Sequence, residues 1–202
     1  MAKQNWPGGA LLAPVPPVLV SCGTVEKPLC LTIGWTGIIN TKPPRTYISV
    51  RPERNSYPVI KETGEFVLNL APASLAKTVD FCGVRSGAKV DKFAHCHLTA
   101  QPSGHLAAPT IAECPVSIEC RVFQVISLGS HDMFLADIVG VSVDESILDA
   151  DGKLRLDKAD LLAYAHGEYF TLGKKVGSFG WSVRKKPPAG KGGRYKKRPA
   201  KK

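Results

Sequence analysis

The sequence predicts a mainly β protein, a β-barrel carrying a few peripheral helices. Three observations lead there. Short runs rich in Val, Ile, Leu and Phe recur along the chain, many separated by Gly, Pro or Asn. Helical stretches are few and short. No internal repeat and no alternation of strands with crossover helices is present, which argues against a parallel α/β fold.

Taken in order, the β-type runs are VLVSC (18–22), LCLTIGW (29–35), RTYISV (45–50), EFVLNL (65–70), PVSIECRVFQVISL (115–128) and DMFLADIVGVSV (132–143). In VSIECRV, Ser117, Glu119 and Arg121 alternate with Val116, Ile118, Cys120 and Val122, the period of a half-buried antiparallel strand. SLGSHD then joins the last two runs as a hairpin-like connection. NSYPVIKET reads as a helix with Asn55 or Ser56 as N-cap, Pro58 in its first turn and Gly64 as its stop. PASLAKTVDFCG reads as a second helix after Pro72, with Ser74 as candidate cap, and KADLLAYA as a third.

At 202 residues the chain has length for one well-cored domain and tails. The net charge of +10 is unevenly placed. From Arg184 onward, RKKPPAGKGGRYKKRPAKK holds ten of the 27 Lys and Arg and no acid; the other 17 are balanced by 17 Asp and Glu. The division is therefore a neutral domain over 1–183 and a basic tail over 184–202, expected to be disordered because it has little apolar surface to bury. No apolar run approaches the roughly eighteen residues that span a bilayer, and ALLAPVPPVLV is interrupted by prolines and lacks a basic leader. A soluble cytoplasmic protein is expected.

The six cysteines have no CxxC spacing and most lie in apolar runs, so reduced, packed thiols are expected. His95 and His97 in HCH would share one side of a strand, but no further ligands stand at matched spacing, and no metal is assigned. Walker, dinucleotide, nucleophile-elbow and HExxH motifs are all absent.

One stretch does carry chemistry. SVRPERNSYPV delivers Arg51 to the end of a strand, adds Arg54 three residues on, and enters a helix at Ser56. Guanidinium groups, a hydroxyl and a helix N-terminus suit a phosphate or carboxylate. The same residues equally fit a Ser56 cap with Arg51 and Arg54 paired to Glu53 or Glu62, and local physics leaves both arrangements open.

The segments TIGWTGIINTKPPRTYISVRPERNSYPVIKETGEFVLNL (32–70), FCGVRSGAKVDKF (81–93), GSHDMFLADIVGV (129–141) and YFTLGKKVGSFG (169–180) occur in an order that resembles the flavin reductase family. The resemblance spans roughly residues 12–182 and is nearest the flavoredoxin branch. It implies an FMN-binding split β-barrel, a homodimer with one non-covalent FMN per subunit near the interface, and NAD(P)H as substrate. It further implies that Trp35 and Thr36 lie against the isoalloxazine and that backbone groups of Ser49 and Val50 meet its polar edge. Arg51 and Ser56 would hold the phosphate, with Arg54 as an alternative. Lys92, His131 and Tyr164 would complete the pocket, His131 as the catalytic candidate. Each role has a plain counterpart: Trp35 as core, Lys92 as a solvated charge, His131 as a turn residue, Tyr164 as interface filler.

Two functions follow from the resemblance: an FMN-dependent NAD(P)H oxidoreductase passing electrons to free flavin, a ferric chelate or a partner protein, and a flavoredoxin-type electron carrier without its own NAD(P)H turnover. A third reading, nonspecific polyanion contact, rests on the basic tail alone.

Overall fold

The computed structural model describes residues 1–184; the basic tail beyond Arg184 lies outside the described residues. The strands and helices in chain order are β1 (Val18–Gly23), β2 (Pro28–Ile33), β3 (Thr36–Thr41), β4 (Pro44–Val50), α1 (Tyr57–Thr63), β5 (Glu65–Leu70), α2 (Ala76–Val84), α3 (Lys92–Cys96), β6 (Ala100–Gln101), β7 (Thr110–Ile111), β8 (Val116–Ser127), β9 (Asp132–Val143), β10 (Leu162–Ala165) and β11 (Glu168–Thr171). Seven of the strands form one antiparallel sheet in the order β2-β1-β5-β8-β9-β4-β3; β6–β7 and β10–β11 are separate pairs.

The sheet curls on itself. Val18 and Val20 of β1, Leu31 and Ile33 of β2, Ile48 and Val50 of β4, Phe66 and Leu68 of β5, and Phe134 and Ala136 of β9 meet in a single buried cluster. Strands distant in the sheet order thus share one core, capped by Tyr57 and Ile60 of α1. The opposite face of β1 and β2 is covered as well: Leu19 and Cys30 pack with Val79 and Cys82 of α2, Phe93 of α3 and Leu162 of β10. β1 is therefore buried on both faces, which explains its unbroken apolar run. Among the described residues no helix is long and apolar enough to cross a membrane.

Several expectations change on contact with the structure. KADLLAYA is not a helix; a 3-10 turn at Leu156–Lys158 leads into β10, whose pairing with β11 buries Leu162. Ser74 lies inside a 3-10 turn (Ala73–Leu75) that precedes α2 and does not cap it. The run 29–35 ends as a strand at Ile33, and Trp35 stands in the junction to β3. HCH is the end of α3, with Asp91 capping its start and His97 in the left-handed region at φ 54°, so the two histidines do not line up as on a strand. On β8, Ser117 and Glu119 are buried too, because the 102–109 loop covers that face: the Glu119 carboxylate accepts the N–H groups of Gly104 (3.1 Å) and His105 (2.7 Å).

Candidate active site

The curl of the sheet brings three strand ends to one rim. The Ser49 N–H donates to the Trp35 carbonyl at 3.0 Å, tying the β2–β3 junction to β4. Val50 pairs with Asp132, which places His131 beside the end of β4. The rings of Trp35 and His131 then lie 4.7 Å apart at 43°. A backbone bridge between Val15 and Tyr164 adds β10 to the rim, and Asp80, Gly83 and Val84 of α2 supply the facing wall. These groups enclose a cavity of about 340 Å³ lined by Trp35, Ser49, Val50, Arg51, Arg54, His131, Tyr164 and Tyr169, a size suited to part of a small organic ligand. Trp35 is 48% exposed, so its ring faces the opening and not the core.

A second cavity of about 250 Å³ continues from the first, sharing Leu31, Arg51 and Arg54. Ser56, Arg85, Ser86 and Lys92 line it further, with Glu53 as its acidic side chain. Among the described residues no carboxylate lies within ion-pair distance of Arg51, Arg54, Arg85 or Lys92. The pairing of Arg51 or Arg54 with Glu53 or Glu62, left open by the sequence, is therefore not the arrangement adopted. Lys92 is buried at 6% exposure, and its ammonium donates to the carbonyls of Cys30 (2.9 Å) and Cys82 (2.7 Å). Burial pulls its pKa below the ordinary lysine range, partly opposed by the Cys30 and Cys82 sulfurs.

The helix N-terminus contributes less than the sequence implies. Ser56 is helical in backbone and makes no side-chain cap bond. The Arg54 and Tyr57 N–H groups are taken by the carbonyls of Arg51 and Arg54. The cationic character of this cavity rests on side chains: several basic groups against one carboxylate, in a partly enclosed space where charge-assisted bonds are strong. Burial, and next the Arg51 guanidinium, hold the His131 imidazole below its usual pKa, and its Nδ1 lies 3.0 Å from the Ser130 hydroxyl.

The structure brings nine of the ten sequence-identified residues to these two cavities. Thr36 is the exception: its hydroxyl donates to the Tyr47 carbonyl and it lines neither cavity. Ser49 lines the cavity, though its N–H is already spent on Trp35. Sequence reasoning missed Arg85 and Ser86, which line the cationic cavity beside Gly87, where a Cβ would stand 3.0 Å from Asn55 Nδ2. It also missed Tyr169, whose hydroxyl donates to Asp80 at 3.3 Å. Among the described residues no cluster of His, Cys, Asp or Glu is arranged to hold a metal ion.

A curled antiparallel sheet with an aromatic cavity running into a cationic one defines a split β-barrel of the flavin reductase class. Residues 11–173 match the family model for the flavin reductase like domain, and the chain belongs to that family. Among solved structures it is similar to the flavoredoxin of Desulfovibrio vulgaris (Miyazaki F), with a TM-score of 0.84 and 30% identity over 91% of this chain and 100% of that one. By sequence it is 31% identical over 160 residues to an uncharacterised protein of Archaeoglobus fulgidus, covering 79% of this chain and 89% of that one. An FMN reductase (NADH) of Enterobacter cloacae is 24% identical over 103 residues, 51% of this chain and 60% of that protein.

Proposed function

We propose that this chain binds FMN without a covalent link and acts as an FMN-dependent NAD(P)H oxidoreductase. The observation that carries the reading is the continuity of the two cavities: Arg51 and Arg54 line both, so a ligand with a flat ring system at one end and a phosphate at the other fits the donor set. Arg51, Arg54, Ser56, Arg85 and Lys92 hold the phosphate. Trp35, Ser49, Val50, His131 and Tyr164 surround the ring. FMN, when bound, supplies the two-electron chemistry between a nicotinamide and the next acceptor.

The protein's own residues position and shield. Trp35 and His131 present a tilted aromatic pair that excludes water from one side of the ring. His131, disfavoured as a cation by burial and by Arg51, offers a neutral imidazole that hydrogen-bonds without adding charge. Electrons then leave to free flavin, a ferric chelate or a redox partner protein. A homodimer is part of the proposal, since the edge strand β3 leaves Ile38 and Ile39 exposed. Six free cysteines suit a reducing cytoplasm.

A second reading, an FMN electron carrier without its own NAD(P)H turnover, is favoured by the likeness to a flavoredoxin over that protein's full length. Steady-state oxidation of NADH and NADPH by the FMN-loaded protein separates the two. Turnover supports the reductase; absence of turnover with reversible reduction by a ferredoxin-type donor supports the carrier. Purified protein that is colourless and fails to bind added FMN overturns both.

A further inference from the structure

The cysteines have no part in the proposed cofactor site, yet three of them converge behind it. Cys30 on β2 and Cys82 on α2 are buried with their Sγ atoms 3.7 Å apart, although 52 residues separate them in the chain. Cys96, half-buried at the end of α3, packs against the same buried cluster that holds Cys30 and Cys82. Lys92 connects this cluster to the cationic cavity. Its ammonium donates to the carbonyls of Cys30 and Cys82, the same two residues whose sulfurs touch, and the same side chain lines the cavity wall.

We propose that Cys30 and Cys82 form a reversible dithiol–disulfide site that controls anion binding in the adjacent cavity through Lys92. A disulfide has its sulfurs about 2.05 Å apart, so the two must close by roughly 1.7 Å. That movement shifts β2 and α2 relative to each other at the residues whose carbonyls hold the ammonium. Lys92 then follows one carbonyl or the other and leaves its present place on the wall.

The oxidant is a peroxide, small enough to reach a half-buried thiol. The Cys96 thiolate attacks the peroxide oxygen, giving a sulfenic acid and hydroxide. The Cys82 sulfur attacks that sulfenic sulfur, water leaves, and a Cys82–Cys96 bond forms. Cys30 then attacks the Cys82 sulfur and releases Cys96 as the thiol. In sum two thiols lose two electrons and two protons, and hydrogen peroxide becomes two waters. Burial pushes the Cys96 thiol up to about 11, so thiolate is scarce and the oxidation is slow at neutral pH. An external dithiol reverses it.

The test uses the full chain, reduced, then exposed to hydrogen peroxide, alkylated and mapped by peptide mass spectrometry. The expected product is a Cys30–Cys82 cross-link with loss of two hydrogens, reversed by dithiothreitol and slowed in Cys96→Ser. FMN affinity, read by flavin fluorescence, should weaken by about fivefold or more on oxidation of the wild type and be unmoved by oxidation in Cys82→Ser, which can form neither the Cys82–Cys96 nor the Cys30–Cys82 bond. Absence of that cross-link overturns the site, and a cross-link that leaves affinity unchanged overturns its coupling to Lys92. The affinity arm rests on the FMN reading: if the reduced protein binds no FMN, that reading fails, and inorganic phosphate followed by 31P line broadening takes its place in the comparison.

Discussion

Arg51 is the residue on which the two cavities turn, since it lines both and has no carboxylate partner among the described residues. A charge-assisted bond of this kind contributes about 1.5–3 kcal/mol, so Arg51→Ala should weaken FMN binding by about 10- to 100-fold in a fluorescence titration, with partial recovery in Arg51→Lys. His131 makes an independent prediction. Its pKa is depressed by burial and by Arg51, so its NMR titration in the free protein should fall below that of an ordinary histidine. Inorganic phosphate bound at Arg51 offsets the second of these causes without covering the imidazole, so phosphate should move the His131 midpoint upward; a downward move would place the phosphate away from Arg51. At this scale the sequence was legible where a residue's chemistry is set by its neighbours in the chain, as with two arginines leaving a strand. It was not legible where tertiary approach decides. Arg85 in GVRSGAKV has no local signature, and Lys92 looks like any surface lysine until two carbonyls from distant elements enclose it. Thr36 shows the converse, a residue of suitable type whose hydroxyl is already engaged within the sheet.

The elements that read well were runs of β-branched and other apolar residues set between turn residues. β4, β5, β8 and β9 fall where those runs and turns put them. The errors were of two kinds. α3 has five residues, too few for a periodic signal, and only the Asp91 cap announces it. KADLLAYA has a helical composition, yet the His166 and Gly167 that follow it both take positive φ, 49° and 93°, the demand of a two-residue hairpin turn that the HG pair could have revealed. Phe134 on β9 is fully buried and packs edge-on against Tyr57 at 5.5 Å, so Phe134→Ala should cost about 3–5 kcal/mol in denaturant unfolding. α1 is joined to β9 by the Tyr57 hydroxyl donating to Asp132, and that bond, followed by the one from Ser127, lowers the Asp132 pKa. A carboxylate so depressed adds stability above its unfolded pKa and loses it as pH falls through the folded value. Tyr57→Phe should therefore lower Tm at neutral pH, and the gap to wild type should narrow as the solution is acidified through that range.

At the scale of the whole molecule, one domain with a separable basic end predicts that removing residues 184–202 should leave FMN affinity unchanged while lowering retention on a polyanion column at low salt. β3 is an edge strand of the sheet, and an uncovered edge with large apolar side chains is a site for association. Ile38 and Ile39 are 64% and 47% exposed, and Trp35, immediately before this strand, is itself half-exposed at the mouth of the aromatic cavity. A second copy packed along β3 would bury these isoleucines and shield the Trp35 side of the cavity in the same step. Assembly and cofactor retention are then one equilibrium, so FMN affinity should rise with protein concentration across the dimerisation range. Ile38→Glu with Ile39→Glu should shift light-scattering mass from dimer to monomer and weaken FMN binding, without touching a residue that lines either cavity. A wild-type monomer at micromolar concentration, or a monomeric double variant that keeps full FMN affinity, would show instead that each chain closes its own site.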